Sequence, residues 1–113
     1  GLLDAIQPDM LHMGFWQFHV LARDIEKSGV DTLIAPHNYN AGYLGLRADI
    51  QFGAATLRFV IAEDSTLEFE LYKGVEYVFE DGKYAVPDSP GLAVSIDQDL
   101  YDRVYKQHET VIS

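Results

Sequence analysis

Three residues that can do acid/base chemistry stand at equivalent places along the chain: Asp9, His37 and Glu63. Each follows a short apolar stretch, and longer segments of a different pattern separate the three stretches. A carboxylate beside an imidazole accepts a hydrogen bond from one ring nitrogen, which fixes the tautomer and leaves the other nitrogen to exchange a proton near neutral pH. These residue types therefore predict an acid/base site, provided that the fold brings the side chains together.

Each of these residues also has a structural interpretation. Asp9 follows a proline and could cap a turn, His37 could be a loop residue, and Glu63 could end a strand in solvent. Three such residues at three equivalent strand ends favour a site over three separate structural roles. Two weaker candidates lie nearby: His12 could point into the site, and Asn38 could contact substrate or satisfy the loop backbone.

The elements that must position these residues alternate between extended and helical patterns. Residues 15, 18, 22 and 25 fall at helical spacing, and Ser28-Gly29 supplies a stop. Strands that are apolar throughout and separated by helices are typical of parallel βαβ units, whose ligand sites form at the strands' carboxyl ends. The predicted strands cover 5–11, 31–35 and 58–62, and the predicted helices cover 15–27 and 46–57, with a loop at 39–45.

After residue 64 the pattern changes to a turn-rich tail. We divide the chain into a β-α-β-α-β segment, residues 1–64, and a C-terminal tail, residues 65–113. The tail is predicted to hold a hairpin of strands 75–79 and 84–86 around a turn at 80–83, a loop at 87–91 and a terminal helix at 97–107.

Composition excludes several classes of partner. The net charge is −10 over 113 residues, which opposes binding to nucleic acid and to anionic membranes. No apolar run reaches the length of a membrane span, and the first residues do not resemble a signal peptide. The chain has no cysteine, which excludes disulfides and thiolate metal sites and suits a cytoplasmic protein.

Four segments together resemble the C-terminal part of the enolase superfamily, in particular its mandelate racemase-like subgroup. They are IQPDMLHMG, IAPHNYNAGYLG, FVIAED and VPDSPGLAV, and their order and spacing carry the resemblance, because no single one is specific. The resemblance covers nearly all of this chain but only the last part of such a protein. It implies an α/β fold, namely strands six to eight of a (β/α)7β TIM-like barrel, with a turn-rich tail that returns to a capping domain.

The resemblance also implies roles for individual residues. Asp9 and His37 would form a His–Asp dyad at the ends of strands six and seven, and Glu63, at the end of strand eight, would hydrogen-bond the developing enolate. Family members abstract the proton next to a carboxylate and stabilise the enediolate on Mg²⁺. The metal ligands and a Lys-x-Lys base belong to earlier strands, so we expect no metal ligand in this chain. The sequence departs from the family's pattern at two places. His12 stands where an arginine is common, and the bulky pair Phe15-Trp16 follows Gly14 where the family usually has Gly-Thr.

The leading hypothesis is an acid-sugar dehydratase, or a racemase or epimerase, that acts on a small hydroxy-carboxylate and is Mg²⁺-dependent as a complete protein. Two alternatives remain open: an inactive fragment or a binding or assembly module, and an unrelated parallel α/β protein with a coincidental Asp, His and Glu set. We expect the chain alone to be inactive and to fold poorly. Its expected partners are further copies of itself or a missing N-terminal part of the same protein, because a three-strand slice of a barrel exposes strand edges.

Overall fold

Short parallel strands alternate with helices in the first half of the chain, and antiparallel strands with a helical end form the second half. The computed structural model describes residues 2–39, 42–65, 70–74 and 77–111. The elements are β1 Ala5–Ile6, α1 Met10–Met13, α2 Phe15–Ser28, β2 Leu33–Ile34, α3 Gly42–Ala54, β3 Tyr72–Gly74, β4 Phe79–Glu80, β5 Lys83–Tyr84, β6 Val94–Ile96 and α4 Gln98–Leu100, followed by a π-helical turn Tyr101–Tyr105 and a 3-10 turn Lys106–His108.

The three extended segments of the first half run parallel to one another. β1 pairs with β2, so that Ile6 lies opposite Ile34. On the other side of β2 a single parallel bridge joins Ile34 to Phe59, and the Ile34 N–H donates to the Arg58 carbonyl at 2.6 Å. The predicted parallel order is therefore confirmed for these segments, whereas a barrel around them stays a prediction.

All three predicted strands are too long, and the one predicted over 31–35 covers only Leu33–Ile34. The prediction of a strand over 5–11 is wrong at its end, because Met10 and Leu11 belong to α1. Asp9 accepts a hydrogen bond from the backbone N–H of His12 and so starts a helix, which a short apolar run cannot signal. The prediction of a strand over 58–62 is reduced to the single bridge at Phe59.

Helix α3 is displaced relative to its prediction. It begins at Gly42, inside the predicted loop 39–45, whose residues 40 and 41 lie outside the described residues. Glycine usually predicts a loop, but Gly42 and Gly45 are buried here, so tertiary packing overrides their low helix propensity. The helix ends at Ala54 rather than continuing to Leu57, whose side chain is 92% exposed.

One core cluster joins α1, α2, β2 and α3. The rings of Phe18 and Phe52 meet edge to face at a centroid distance of 5.1 Å. The inward face of α2 follows the predicted spacing at residues 18, 22 and 25, whereas Phe15 is 45% exposed. The helix ends as predicted, with Gly29 in the left-handed region at φ 73°. The buried members of this cluster are Met10, Phe18, Ala22, Ile25, Ile34, Ala48 and Phe52.

No helix within the described residues is long and apolar enough to cross a bilayer.

The tail contacts α3 through Arg47. Its buried guanidinium lies over the rings of Tyr43 and Tyr77, 3.9 and 4.3 Å from their centroids, and donates to the carbonyls of Leu92 and Ala93 at 3.0 and 3.2 Å. An arginine in a predicted helix gave no sign of this role. The division of the chain at residue 64 stays a prediction, but α3 and the tail share buried contacts.

The predicted hairpin and terminal helix are both present. β4 and β5 pair around Asp81 and Gly82, whose φ values of 50° and 76° fit a tight two-residue turn. The strands are shorter than predicted, and Val75, where the first was placed, lies outside the described residues. At the terminal helix Asp97 caps the first turn by accepting from the Leu100 N–H at 3.1 Å, as the predicted start at residue 97 requires.

Candidate active site

Backbone pairing brings Asp9 and His37 together. The two residues form a parallel bridge, and the His37 N–H donates to the Pro8 carbonyl at 2.9 Å. Pro8 takes part in this pairing only through its carbonyl, which accepts a hydrogen bond. The N–H that proline lacks is therefore not needed to pair with the His37 segment. Neighbours in parallel register project from the same face of a sheet, and the Nδ1 atom of His37 accordingly lies 3.5 Å from Oδ2 of Asp9.

Asp9 has a second role as the cap of α1. Its Oδ1 accepts from the His12 backbone N–H at 2.9 Å, and its Oδ2 lies 2.9 Å from Nδ1 of the His12 ring. Burial alone would raise the pKa of Asp9, but the hydrogen bonds from the His12 backbone and the His37 ring, together with the His12 side chain, lower it below the ordinary value of 3.8. Asp9 is therefore a carboxylate at neutral pH. It caps α1, as its structural interpretation predicted, and it also contacts His37.

Glu63 lies on the other side of the His37 ring. Its Oε2 is 3.8 Å from Nε2 of His37 and accepts from the backbone N–H of Asn38 at 2.8 Å. The side chain of Gln7 also reaches this oxygen, at 3.4 Å. The imidazole thus lies between two carboxyl groups that come from different segments of the chain.

Asn38 is fully buried beside this group. Its side-chain Nδ2 is 3.5 Å from the Gly42 carbonyl, at the start of α3, and its backbone N–H holds Glu63. Its Oδ1 is buried without a hydrogen-bond partner among the described residues. Asn38 therefore supports the loop and orients Glu63, and its predicted contact with substrate stays a prediction, as does that of His12.

Asp49 is a functional candidate that the sequence reasoning missed. Its side chain is 1% exposed on α3, and its Oδ2 has no hydrogen-bond partner within the described part of the chain. Burial, followed by the nearby negative charges of Asp9 and Glu63, raises the pKa of Asp49 to about 7. The sequence offers only a weak signal: Asp49 comes three residues after Leu46 of the predicted apolar stripe, and residues three apart are neighbours on a helix surface.

The described residues do not fit a Mg²⁺ ion. No group of three or more His, Asp or Glu side chains in this part of the chain could hold a metal ion. The oxygens of Asp9 and Oε2 of Glu63 are already engaged by N–H donors, whereas Mg²⁺ requires free oxygen ligands in near-octahedral geometry. No chemical step on these residues is therefore assigned to a metal.

The arrangement suits proton transfer through His37. The Asp9 carboxylate lies near Nδ1 and can hold the proton there, which leaves Nε2 to accept a proton from a bound molecule. The imidazolium that results would be stabilised by a carboxyl group on each side. The His37 side chain is 37% exposed, so a small molecule could reach its ring.

Comparison with known proteins gives one match. The family model described as enolase C-terminal domain-like matches residues 1–100. No curated protein and no solved structure matched the chain. The matched range contains Asp9, His37 and Glu63 and all of the parallel segments described above. The chain belongs to the enolase C-terminal domain-like family.

Proposed function

We propose that this chain is part of an enolase-superfamily enzyme that removes the proton next to the carboxylate of a small hydroxy-carboxylate. An acid-sugar dehydratase of the mandelate racemase-like subgroup is our first choice, and a racemase or epimerase would use the same first step. The observation that carries the proposal is the placement of the His37 ring, 3.5 Å from Asp9 and 3.8 Å from Glu63. The family match over residues 1–100 supports it.

In this proposal His37 takes or returns the proton at Nε2, and Asp9 holds the ring through Nδ1. Asp9 suits an orienting role, because its lowered pKa keeps it ionised while the ring changes charge. Glu63 would donate a hydrogen bond to the enolate only in its protonated form, because an ionised carboxylate only accepts. Its Oε2 already accepts from Asn38, so Oε1 is the atom we assign to the substrate.

For a dehydratase the steps balance as follows. A base takes the α-proton, and the electron pair of the broken C–H bond passes into the enediolate. That pair then expels the β-hydroxyl group, which takes a proton from a general acid and leaves as water. The enol that remains takes up a proton at carbon and becomes a 2-keto acid. A racemase or epimerase would instead return a proton to the α-carbon on the opposite face.

Mg²⁺ remains part of the proposal for the complete protein only. Members of the enolase superfamily generally use this ion. We propose that its ligands lie on earlier strands of the barrel, as the resemblance to the superfamily implies. A chain with a net charge of −10 would also gain from a bound cation when it takes up a carboxylate substrate.

Exposed apolar surface suggests a partner for this chain. A groove of about 630 Å³ lies between the end of α3, the segment after it and the β4–β5 hairpin, and its lining includes the largely exposed side chains of Ile61 and Phe79. The side chains of Trp16 and Leu57 are also mostly exposed. Patches of this kind mark surfaces that bind other protein, and we propose that the rest of the enzyme or a second copy of the chain covers them.

The proposal can be tested in the complete enzyme with a panel of acid sugars and other hydroxy-carboxylates. We expect turnover of at least one of them, and His37→Asn should reduce it by at least about 10²-fold, the usual contribution of a positioned acid/base. His108→Asn is the matched control, since His108 is exposed in the tail. If no hydroxy-carboxylate is turned over, or if His37→Asn behaves like the control, the proposal is wrong.

A further inference from the structure

One oxygen of Asp9 serves two imidazole rings. Oδ2 lies 2.9 Å from Nδ1 of His12 and 3.5 Å from Nδ1 of His37. The side chain of His12 is 88% exposed, whereas that of Asp9 is only 17% exposed. The closer of the two rings is therefore the one outside the acid/base pair of the proposed function.

The geometry of the α1 cap favours His12 in this competition. Oδ1 of Asp9 is held by the His12 backbone N–H at 2.9 Å, so both oxygens are bound to the same residue. Turning the carboxylate towards His37 would stretch the cap bond or the His12 ring contact. Asp9 can approach His37 more closely only if His12 releases it.

The charges around Asp9 make this competition depend on protonation. Asp9 is faced by His12 from α1, by His37 from the segment after β2 and by Asp49 from α3, and Glu63 lies on the other side of the His37 ring. A protonated His12 offsets the charge of Asp9, and the carboxylate then does less to stabilise an imidazolium at His37. A neutral His12 leaves more of that charge to His37.

We propose that His12 is a positioning residue of the candidate active site, because it shares Oδ2 of Asp9 with His37. It thereby determines how closely Asp9 contacts the His37 ring and how strongly Asp9 stabilises the protonated form of that ring. The consequence for catalysis rests on the proposed function. The sharing of the carboxylate does not rest on the proposed function, because it concerns only contacts among the side chains of Asp9, His12 and His37.

The test compares three variants of the complete protein. His12→Gln removes the competing ring, His12→Arg places a permanent cation beside Asp9, and His108→Gln is the control, since His108 is an exposed histidine in the tail. Nitrogen-15 NMR of the labelled histidines reports the pH midpoint and the tautomer of the His37 ring without any turnover. The pH dependence of kcat/KM on the best hydroxy-carboxylate is measured beside it.

The two His12 variants should act in opposite directions. His12→Gln should move the NMR midpoint of His37 to higher pH, because it frees Oδ2 of Asp9 for His37, and His12→Arg should move it to lower pH, because a permanent cation offsets the charge of Asp9. The acidic limb of kcat/KM should move with them, and His108→Gln should change neither. A purely structural role for His12 would give the same direction of change in both variants.

The outcomes separate this proposal from the proposed function. If the NMR midpoint shifts in the same direction in both His12 variants, or no more than in His108→Gln, the sharing of Asp9 is refuted. If the midpoints shift as expected but no hydroxy-carboxylate is turned over, the sharing stands and the proposed function is wrong. If turnover occurs and its pH profile ignores the NMR shifts, His12 does not position the catalytic ring.

Discussion

Replacing Asp49 by asparagine should stabilise the fold above neutral pH. Asp49 is buried on α3, and its Oδ2 has no hydrogen-bond partner among the residues that the structure describes. Burial, together with the charges of Asp9 and Glu63, raises its pKa to about 7, against an ordinary value of 3.8. A carboxyl group with a raised pKa binds its proton more tightly in the folded chain than in the unfolded one. Ionising it therefore costs folding free energy, and an isosteric neutral amide avoids that cost.

The direction and size of the effect follow from the difference between the pKa of Asp49 in the folded chain and its pKa in the unfolded chain. The cost is absent below the unfolded pKa of 3.8, grows as the pH rises towards the folded pKa of about 7, and is constant above it. A difference of about three pKa units corresponds to about 4 kcal/mol near pH 8, and to about 1 kcal/mol near pH 4.5, where the folded group still keeps its proton. Asp49→Asn should thus gain about 3 kcal/mol more at the higher pH.

Chemical denaturation of the complete protein at the two pH values, followed by far-UV circular dichroism, measures this difference. Asp24→Asn is the matched control, a helical carboxylate that is largely exposed on α2. Taking the difference between the two pH values cancels the cost of fitting an amide into the site. A gain for Asp49→Asn that is equal at both pH values, or no larger than that of the control, would refute the reasoning about the buried carboxyl group.

Three further outcomes are expected. Arg47→Met should lower the free energy of unfolding by about 2–4 kcal/mol in denaturant titrations, because two carbonyls of the tail lose their donor; a loss below about 0.5 kcal/mol would show that Arg47 does not hold the tail. Gly74→Ala should cost about 1–3 kcal/mol, since a Cβ there would collide with the Ala93 carbonyl across the β3–β6 pair, and unchanged stability would contradict that pairing. The isolated chain should bind a hydrophobic dye and self-associate in sedimentation, because Trp16 and Leu57 are exposed; a dye-free 12.7 kDa monomer would show that it closes its own core.

The sequence was informative where a residue's position followed from the order of the elements. Asp9, His37 and Glu63 each follow an apolar segment, and parallel pairing of those segments is enough to bring their side chains to one edge. The repeating pattern of α2 and its Gly29 stop were likewise readable, because they depend on local spacing alone.

The features that the sequence did not reveal depend on tertiary packing. His12 binds Asp9 only because a one-turn helix begins there, and a short apolar run such as Met10-Leu11 is compatible with either strand or helix. Asp49 and Arg47 read as ordinary polar positions of a helix, and their roles follow from what packs against α3 from distant parts of the chain. The early start of α3 at Gly42 has the same origin.

The central claim is that His37, held by Asp9, transfers the proton next to a carboxylate. The most direct measurement is solvent deuterium incorporation: the complete enzyme is incubated in D₂O with a hydroxy-carboxylate that it turns over, and mass spectrometry of the product and the recovered substrate locates the label. We expect the wild type to place deuterium at the reacting carbons, and His37→Asn to lose both incorporation and turnover. Incorporation by His37→Asn at the wild-type rate would contradict the account.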